Sequence, residues 1–333
     1  MDRLTTRRLT LRPVSARDRA AVVAGVGDLA VARWLSVVPH PYTDADFDHF
    51  LTDIATPGEV FAVEDAQGFC GIVDVGDDIL GYWIAPCAHG RGYATEAARL
   101  ALAARFAMSD GPMRSGYFAD NERSANVLKK LGFVETGRNR IQCRALDQAR
   151  AHVVVDLSRA AFVAALPVEA TSARLSYRSL YPTDAGALHE VVRLWEVTRM
   201  LGPKWPWPPD PAFTATRARP YRGDGFAWGV FRDAALIGTV AVTEGELGYS
   251  LRPDQHRQGL MFEACTTALD LAFGEMALPS VSASVWADNA ASLALLGKLG
   301  FVVTGENTDT SAARPDPSPG YDLCLKAADW HKA

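Results

Sequence analysis

Apolar and polar residues alternate over some stretches of the chain and recur at helical spacing over others, and the order of these stretches is seen twice. Leu9 and Leu11 alternate with Thr10 and Arg12, and Leu175 and Tyr177 with Ser176 and Arg178. This predicts a short half-buried strand at Leu9–Arg12 and another at Leu175–Arg178. Helical regions are read at Ala16–Trp34 and Pro182–Met200, followed by Pro- and aromatic-rich loops, VVPHPYTD and GPKWPWPPDP. Alternating apolar segments then predict strands, VFAVEDAQGFCGIVDV and ILGYWIAP in the first half, FAWGVFRDAALIGTVAV and ELGYSLRP in the second. A helix rich in small residues (Thr95–Met108; Phe262–Met276), a strand, a helix opening at a DN pair, and a terminal strand or pair close each set. That order fits an α+β unit built on one mixed sheet.

The two halves also match residue by residue. HGRGYATEA (89–97) parallels HRQGLMFEA (256–264), and DNERSANVLKKLGF (120–133) parallels DNAASLALLGKLGF (288–301). LGYWIAP (80–86) matches LGYSLRP (247–253), and RRLTLRP (7–13) matches ARLSYRS (173–179). Gly92 and Gly259 lie 167 residues apart, Gly132 and Gly300 168. Four ordered blocks at nearly constant spacing mark a tandem duplication of one domain. The joint is Ala-rich, and the expected domains are 1–160 and 170–333, with a short linker at about 161–169. A chain of 333 residues suits two domains of about 150 residues each.

Composition narrows the setting. With 48% hydrophobic and 22% charged residues the chain is ordinary globular protein, and no apolar run reaches the ~18 residues of a membrane span. The N-terminus reads as polar and basic, unlike a secretory signal. Cys70, Cys87, Cys143, Cys265 and Cys324 are scattered and contain no CxxC pair, so neither a structural zinc site nor a disulfide framework is expected, no metal is assigned, and a reducing cytoplasm is the expected location. A net charge of −5 without a basic run argues against nucleic acid as the main partner.

Two motifs carry chemistry. In HGRGYATEA, Gly90 and Gly92 flank Arg91 just before a helix, an arrangement that bares backbone N–H groups at the positive end of the helix dipole. Such a loop binds phosphate or pyrophosphate, or is merely a glycine-rich strand-to-helix turn. HRQGLMFEA keeps Gly259 but has Met261 in place of Ala94, which reads as a less permissive loop that still carries Arg257. His89 and His256 fit surface or turn positions equally well. In DNxxSxxxLxKLGF, Asp120 or Asn121 suits a helix N-cap, Leu128 and Leu131 a buried face, and Gly132 the left-handed residue after the helix. The functional alternative sets Asn121 and Ser124, and likewise Asn289 and Ser292, toward a ligand lying across the sheet.

Together, a phosphate loop and N-x-x-S…K-L-G-F some 30 residues later resemble the GNAT acyltransferases, most of all the branch of ribosomal-protein N-terminal acetyltransferases and their small-molecule relatives. The resemblance covers both halves and includes the opening strand Thr6–Pro13 and the G-Y-W-I strand before the loop. It implies, for each half, a mixed and largely antiparallel central sheet flanked by helices, with a splayed strand pair. It further implies acetyl-CoA as co-substrate, its pantetheine arm in the gap beside Gly81–Pro86 (with Trp83 and Ile84) or Gly248–Pro253 (with Leu251). The N–H groups of His89, Gly90, Arg91, Gly92, Tyr93, Ala94 and Thr95 would cradle the pyrophosphate. In the second copy His256, Arg257, Gln258, Gly259, Leu260 and Met261 take that part. The family's asparagine beside pantetheine maps to Asn121 and Asn289, and the serine that protonates the leaving thiolate to Ser124 and Ser292.

The reaction also needs a base for the attacking amine and donors for the developing oxyanion. A glutamate two residues before the strand glycine is common in the family; the second copy has Glu246, whereas the first has Ile79, with Asp74, Asp77 and Asp78 nearby. Glu246 reads either as that base or as a solvated strand-end charge. The family's usual acidic tyrosine is replaced by Leu128 and Leu296, which leaves only the serines. Trp205 and Trp207, on a proline-stiffened loop, suit an apolar or cation–π wall for an amine, or equally the packing of a domain seam. Asp44, Asp46 and Asp48 read as a solvated helix start.

The expected function is an acetyl-CoA-dependent N-acetyltransferase acting by direct attack of a primary amine, on a small molecule or a protein N-terminus. The second copy is the favoured catalyst, in a monomer with pseudo-dimeric domains or a homodimer. The alternatives are a non-catalytic acyl-CoA-binding or interaction protein, and an antibiotic or polyamine acetyltransferase.

Overall fold

A computed structural model of the chain describes residues 3–6 and 8–330; Arg7 of the opening repeat block and the outer ends of both expected domains fall outside them. The chain divides into two compact units, Met1–Leu166 and Pro167–Ala333.

In the first unit, β1 (Leu4–Thr5) and β2 (Thr10–Pro13) lead into α1 (Arg19–Gly27), α2 (Leu29–Ala32) and α3 (Asp44–His49), then β3 (Val60–Asp65), β4 (Gly68–Asp74), β5 (Gly81–Ile84) and α4 (Tyr93–Met108). The unit closes with β6 (Met113–Phe118), α5 (Glu122–Lys130), β7 (Val134–Cys143), β8 (Gln148–Leu157) and α6 (Arg159–Ala164). An antiparallel sheet runs β1-β2-β3-β4-β5, and a second one β6-β8-β7. Alternation along the strands sorts their side chains. Ile72 and Trp83 pack toward α1 and α3 with Val22, Val26 and Phe47, while the opposite face meets α4. Ala97, Ala98 and Ala101 of α4 are fully buried, and small side chains there let the helix lie close to the sheet.

The second unit repeats this order with β9 (Ala170–Thr171), β10 (Ser176–Ser179), α7 (Ala185–Val192), α8 (Trp195–Thr198), α9 (Pro211–Arg217), β11 (Gly225–Arg232), β12 (Ala235–Thr243) and β13 (Glu246–Leu251). It continues through α10 (Leu260–Phe273), β14 (Ser280–Trp286), α11 (Ala290–Lys298), β15 (Val302–Ser311) and β16 (Arg314–Lys326). One sheet results, in the order β9-β10-β11-β12-β13-β14-β16-β15. Both units are therefore the expected α+β architecture. No helix among the described residues is long and apolar enough to cross a membrane.

Three expectations are corrected. The helical region 16–34 is broken at Asp28, whose extended backbone (φ −73°, ψ 118°) frees its side chain to cap α2 by accepting from Ala30 N–H. The region 182–200 is likewise two helices, α7 and α8. Much of segment 161–169 is not an open connector: Ser158 caps α6 at Ala161 N–H, and Phe162 is buried against Phe106. Asp44–Asp48 do begin a helix, capped by Thr43.

An ion pair ties each opening strand to the turn after it. Arg178 contacts both Asp184 oxygens (2.7 and 2.9 Å), both side chains are 9% exposed, and the guanidinium lies 4.1 Å from the Phe231 ring centre. Asp184→Ala would strand that buried cation, at a cost of about 3–5 kcal/mol, readable by urea denaturation of the full chain. The same change at Asp18 is expected to cost less, because Arg12 keeps Glu64 (2.5 Å). Burial pushes the Asp18 carboxyl up, but the Arg12 hydrogen bonds and the Ser15 N–H more than reverse this and hold it below the usual carboxylate range. Its contribution is thus complete above the unfolded value of about 3.9 and is lost as the pH falls through the depressed folded value.

Candidate active site

Each unit contains a pair of parallel neighbours that touch only at one end. Between β5 and β6 the sole bridge is Ile79 to Arg114, with Leu80 N–H donating to Arg114 O (2.8 Å) and Ser115 Oγ to Leu80 O (2.8 Å). β13 and β14 pair only at Glu246 and Ser282, where Ser282 N–H donates to Gly245 O (2.9 Å). Beyond these points the strands part, and the free edge of β5 or β13 faces a gap.

At the far end of each strand a turn leads to the loop. His89 Nε2 lies 2.7 Å from Ile84 O and His256 Nε2 3.1 Å from Leu251 O, so each ring, donating from Nε2, holds the strand end to the loop. Gly90 (φ 77°) and Gly92 (φ 78°) are left-handed, and so are Arg257 (φ 58°) and Gly259 (φ 74°). The second loop therefore follows the same course although an arginine stands where the first has Gly90. The helices take up their ladders at Glu96 N–H to Gly92 O and Glu263 N–H to Gly259 O, so the N–H groups just before these residues stand outside the ladder. Met261 does not crowd the second loop, because its side chain is buried in the core; Tyr93 and Leu260 are buried too, and these residues offer only backbone to a ligand. Trp83 turns to the α1 face, where a Cβ on Gly25 would fall 2.6 Å from its ring.

The helix at the other side of the gap is built from its cap. Asn121 Oδ1 accepts from Ser124 N–H and Asn289 Oδ1 from Ser292 N–H, both at 3.1 Å, so the asparagines do serve as N-caps. Ser124 Oγ lies 2.8 Å from the Tyr82 hydroxyl, and Ser292 Oγ 2.5 Å from that of Tyr249. Burial pushes the Tyr82 phenol up to about 12 and Tyr249 higher still, so both stay protonated at neutral pH. These tyrosines were not picked out from sequence. Their equivalent positions in LGYWIAP and LGYSLRP were the available signal. A second repeated element was also missed: Arg150 binds Asp120 (2.6 and 2.7 Å) and Arg33 O, as Arg314 binds Asp288 (2.9 and 3.0 Å) and Arg199 O. It ties the helix start to the loop after the first helices.

On the opposite sheet face the copies differ. Glu246 is exposed at the start of β13, on the face of Gly248 and Ser250, and open space lies above Gly248. In the first unit Asp74 stands across from Gly81, its Oδ1 accepting from Gly76 N–H (2.8 Å). Burial, with Glu59 and Asp77 nearby, raises its carboxyl above the usual range. Trp83 and Ile72 fill the first unit's face, whereas Ser250 and Thr239 occupy those places in the second, hydroxyls 2.8 Å apart. Trp205 packs edge-on to Phe213, with Arg217 over its ring at 5.9 Å, and Trp207 packs on Trp195, which is 44% exposed. Trp205 is thus already engaged in packing within its unit. No cluster of three or more His, Cys, Asp or Glu residues suited to a metal is found among the described residues.

Comparison with known proteins identifies the family of both units. A family model described as the acetyltransferase (GNAT) domain matches residues 8–134 and again 174–302. An uncharacterized N-acetyltransferase, YoaA, of Bacillus subtilis (strain 168) is 31% identical over 144 residues, 40% of this chain and 81% of that protein. Similar solved structures include the ribosomal-protein-S5-alanine acetyltransferase from Vibrio fischeri (20% identity, 49% of this chain and 99% of that one, TM-score 0.42). Another is the spermidine N-acetyltransferase from Vibrio cholerae in complex with CoA and spermine (19%, 47% and 98%, TM-score 0.39). The chain belongs to the GNAT acetyltransferase family, as an acetyl-CoA-dependent N-acetyltransferase that carries the family's domain twice in tandem.

Proposed function

We propose that the acceptor is a primary amine that enters on the sheet face bearing Glu246 and Gly248 in the second unit, and Asp74 and Gly81 in the first. One observation carries this reading. In both units a parting strand pair has an anion-ready loop at its end, a Tyr–Ser pair on one face and a carboxylate on the other. The residues fit the co-substrate: loop N–H groups for pyrophosphate, a free strand edge for pantetheine amides, and Asn121 or Asn289 beside them. When bound, acetyl-CoA supplies the activated acyl group. Glu246 takes the amine proton in the second unit, and Asp74, made more basic by burial, does so in the first. Tyr249 donates to Ser292 Oγ, which leaves the serine's own proton directed to the departing sulfur; Tyr82 and Ser124 form the same pair. Five free cysteines and this co-substrate fit a cytoplasmic enzyme.

The second unit is the stronger catalyst in this reading, since Glu246 is exposed beside the open space above Gly248, whereas Asp74 packs against Gly81 in the first. Acetyl transfer to a panel of peptides with free N-termini and of small amines tests the proposal. Ser292→Ala is expected to lower kcat about tenfold or more, and Tyr249→Phe less, with KM for acetyl-CoA little changed. Binding without turnover of any acceptor would favour a non-catalytic acyl-CoA-binding protein instead. A second acceptor reading has its own support. Glu59 and Asp77 converge on Asp74 beside Gly81, which favours a compact cationic amine such as a polyamine. Spermidine outcompeting an N-terminal peptide would select it, and the reverse order would reject it.

A further inference from the structure

The two phosphate loops have the same backbone but opposite electrostatics. The residue that closes the hairpin before the loop is Asp65 in the first unit, paired with Gly68, and Arg232 in the second, paired with Ala235. Asp65 is only 7% exposed at its side chain; it receives the Tyr93 hydroxyl (3.1 Å) and pairs with Arg91 (3.3 Å). The one arginine within the first loop is therefore neutralised by a carboxylate beneath it. Arg8, close to Gly92, is in turn engaged by Glu96.

In the second unit Arg232 reaches the loop, and among the described residues its side-chain hydrogen bonds go to neutral oxygens, Gln258 Oε1 (2.7 Å) and Gln255 Oε1 (3.2 Å). Arg257 is exposed on the loop itself, and no ion pair to it or to Arg232 is found among the described residues. Arg174, close to Gly259, is paired with Glu263 and also donates to Gln258 O (2.8 Å), while Arg252 is paired with Asp254. The cations of the first loop are thus matched by carboxylates, and the second loop keeps two that are not.

We propose that the second unit binds CoA more tightly than the first, with Arg232 as a phosphate-binding cation and Asp65 as the carboxylate that weakens the first site. The inference rests on the assignment of both loops to CoA. A full unit of charge beside a dianion at the protein surface alters affinity by about tenfold, and added salt screens the effect.

Calorimetric titration of the full chain with CoA, at low and at physiological salt, tests it. Two classes of site are expected, at least about tenfold apart at low salt and closer at high salt, with Gly259→Val removing the tighter one. Arg232→Gln and Arg232→Asp should weaken only the tighter class, the second more than the first. Asp65→Arg should tighten the weaker class about tenfold, and the milder Asp65→Asn a few-fold in the same direction. Two equal sites, a tighter class lost with Gly92→Val, or a tighter class unmoved by Arg232→Asp would each overturn the proposal while leaving the loops as CoA sites. No binding of CoA to the native chain would instead overturn the assignment of the loops.

Discussion

Replacing Gly259 by valine is expected to reduce CoA affinity of the second domain by at least about 100-fold while the domain remains folded. Gly259 sits at φ 74°, a conformation that costs an ordinary L-residue about 1–2 kcal/mol and a β-branched one more. The chain relieves that strain by turning the peptide, which re-aims the N–H groups at the start of α10. Each charge-assisted hydrogen bond lost to a phosphate is worth about 1.5–3 kcal/mol, so losing two is enough for the predicted effect. The fold itself has room, because a Cβ at this position meets only the end of the Arg174 side chain at 3.6 Å. Gly259→Asn is the companion variant: asparagine tolerates the left-handed region, so binding should stay within several-fold of native. Unchanged CoA affinity in Gly259→Val, with a normal unfolding transition, would mean that this loop is not the anion site.

The second large effect is expected at the carboxylates. Glu246→Gln keeps the size of the side chain and removes its ability to accept the amine proton, so kcat of the second domain should fall by about 100-fold. CoA affinity should not change, since Glu246 lies at the closed end of the parted strands, away from the loop. Asp74→Asn in a Gly259→Val background isolates the first domain, and a loss of similar size is expected if that domain turns over. Because burial raises the Asp74 carboxyl, the acid limb of the first domain should lie at higher pH than an ordinary carboxylate would give. A base works only when ionised, so activity rises with pH through that limb. Full activity in Glu246→Gln at high pH and reduced activity at low pH would assign proton removal to solvent.

Much of this protein is legible along the chain because its constraints are local. Gly92 and Gly259 mark left-handed residues that few other side chains adopt, and Asn121 and Asn289 cap helices with bonds spanning three residues. The equal spacing of these marks exposes the duplication before any contact is known. Other features join residues far apart. Tyr82 and Ser124 are 42 positions apart, on β5 and α5, and only the tertiary fold puts their hydroxyls together. Arg150 meets Arg33 O across 117 positions. Arg257 shows the limit of residue identity: it stands where the first loop has Gly90, yet the loop keeps its left-handed turn, with His256 held to Leu251 O on one side and Leu260 and Met261 buried in the core on the other.

The sequence by itself determined the tandem α+β domains, the loops and capped helices, and through them the acetyltransferase family. Tertiary structure alone decided that Asp74 stands across from Gly81 and that open space lies above Gly248. It also decided that Asp65 and Arg232 set opposite charges beneath equivalent loops. Backbone conformation and capping depend on near neighbours in the chain. Proton affinity, free space and local potential depend on what strand pairing and packing bring alongside, and those partners come from distant segments.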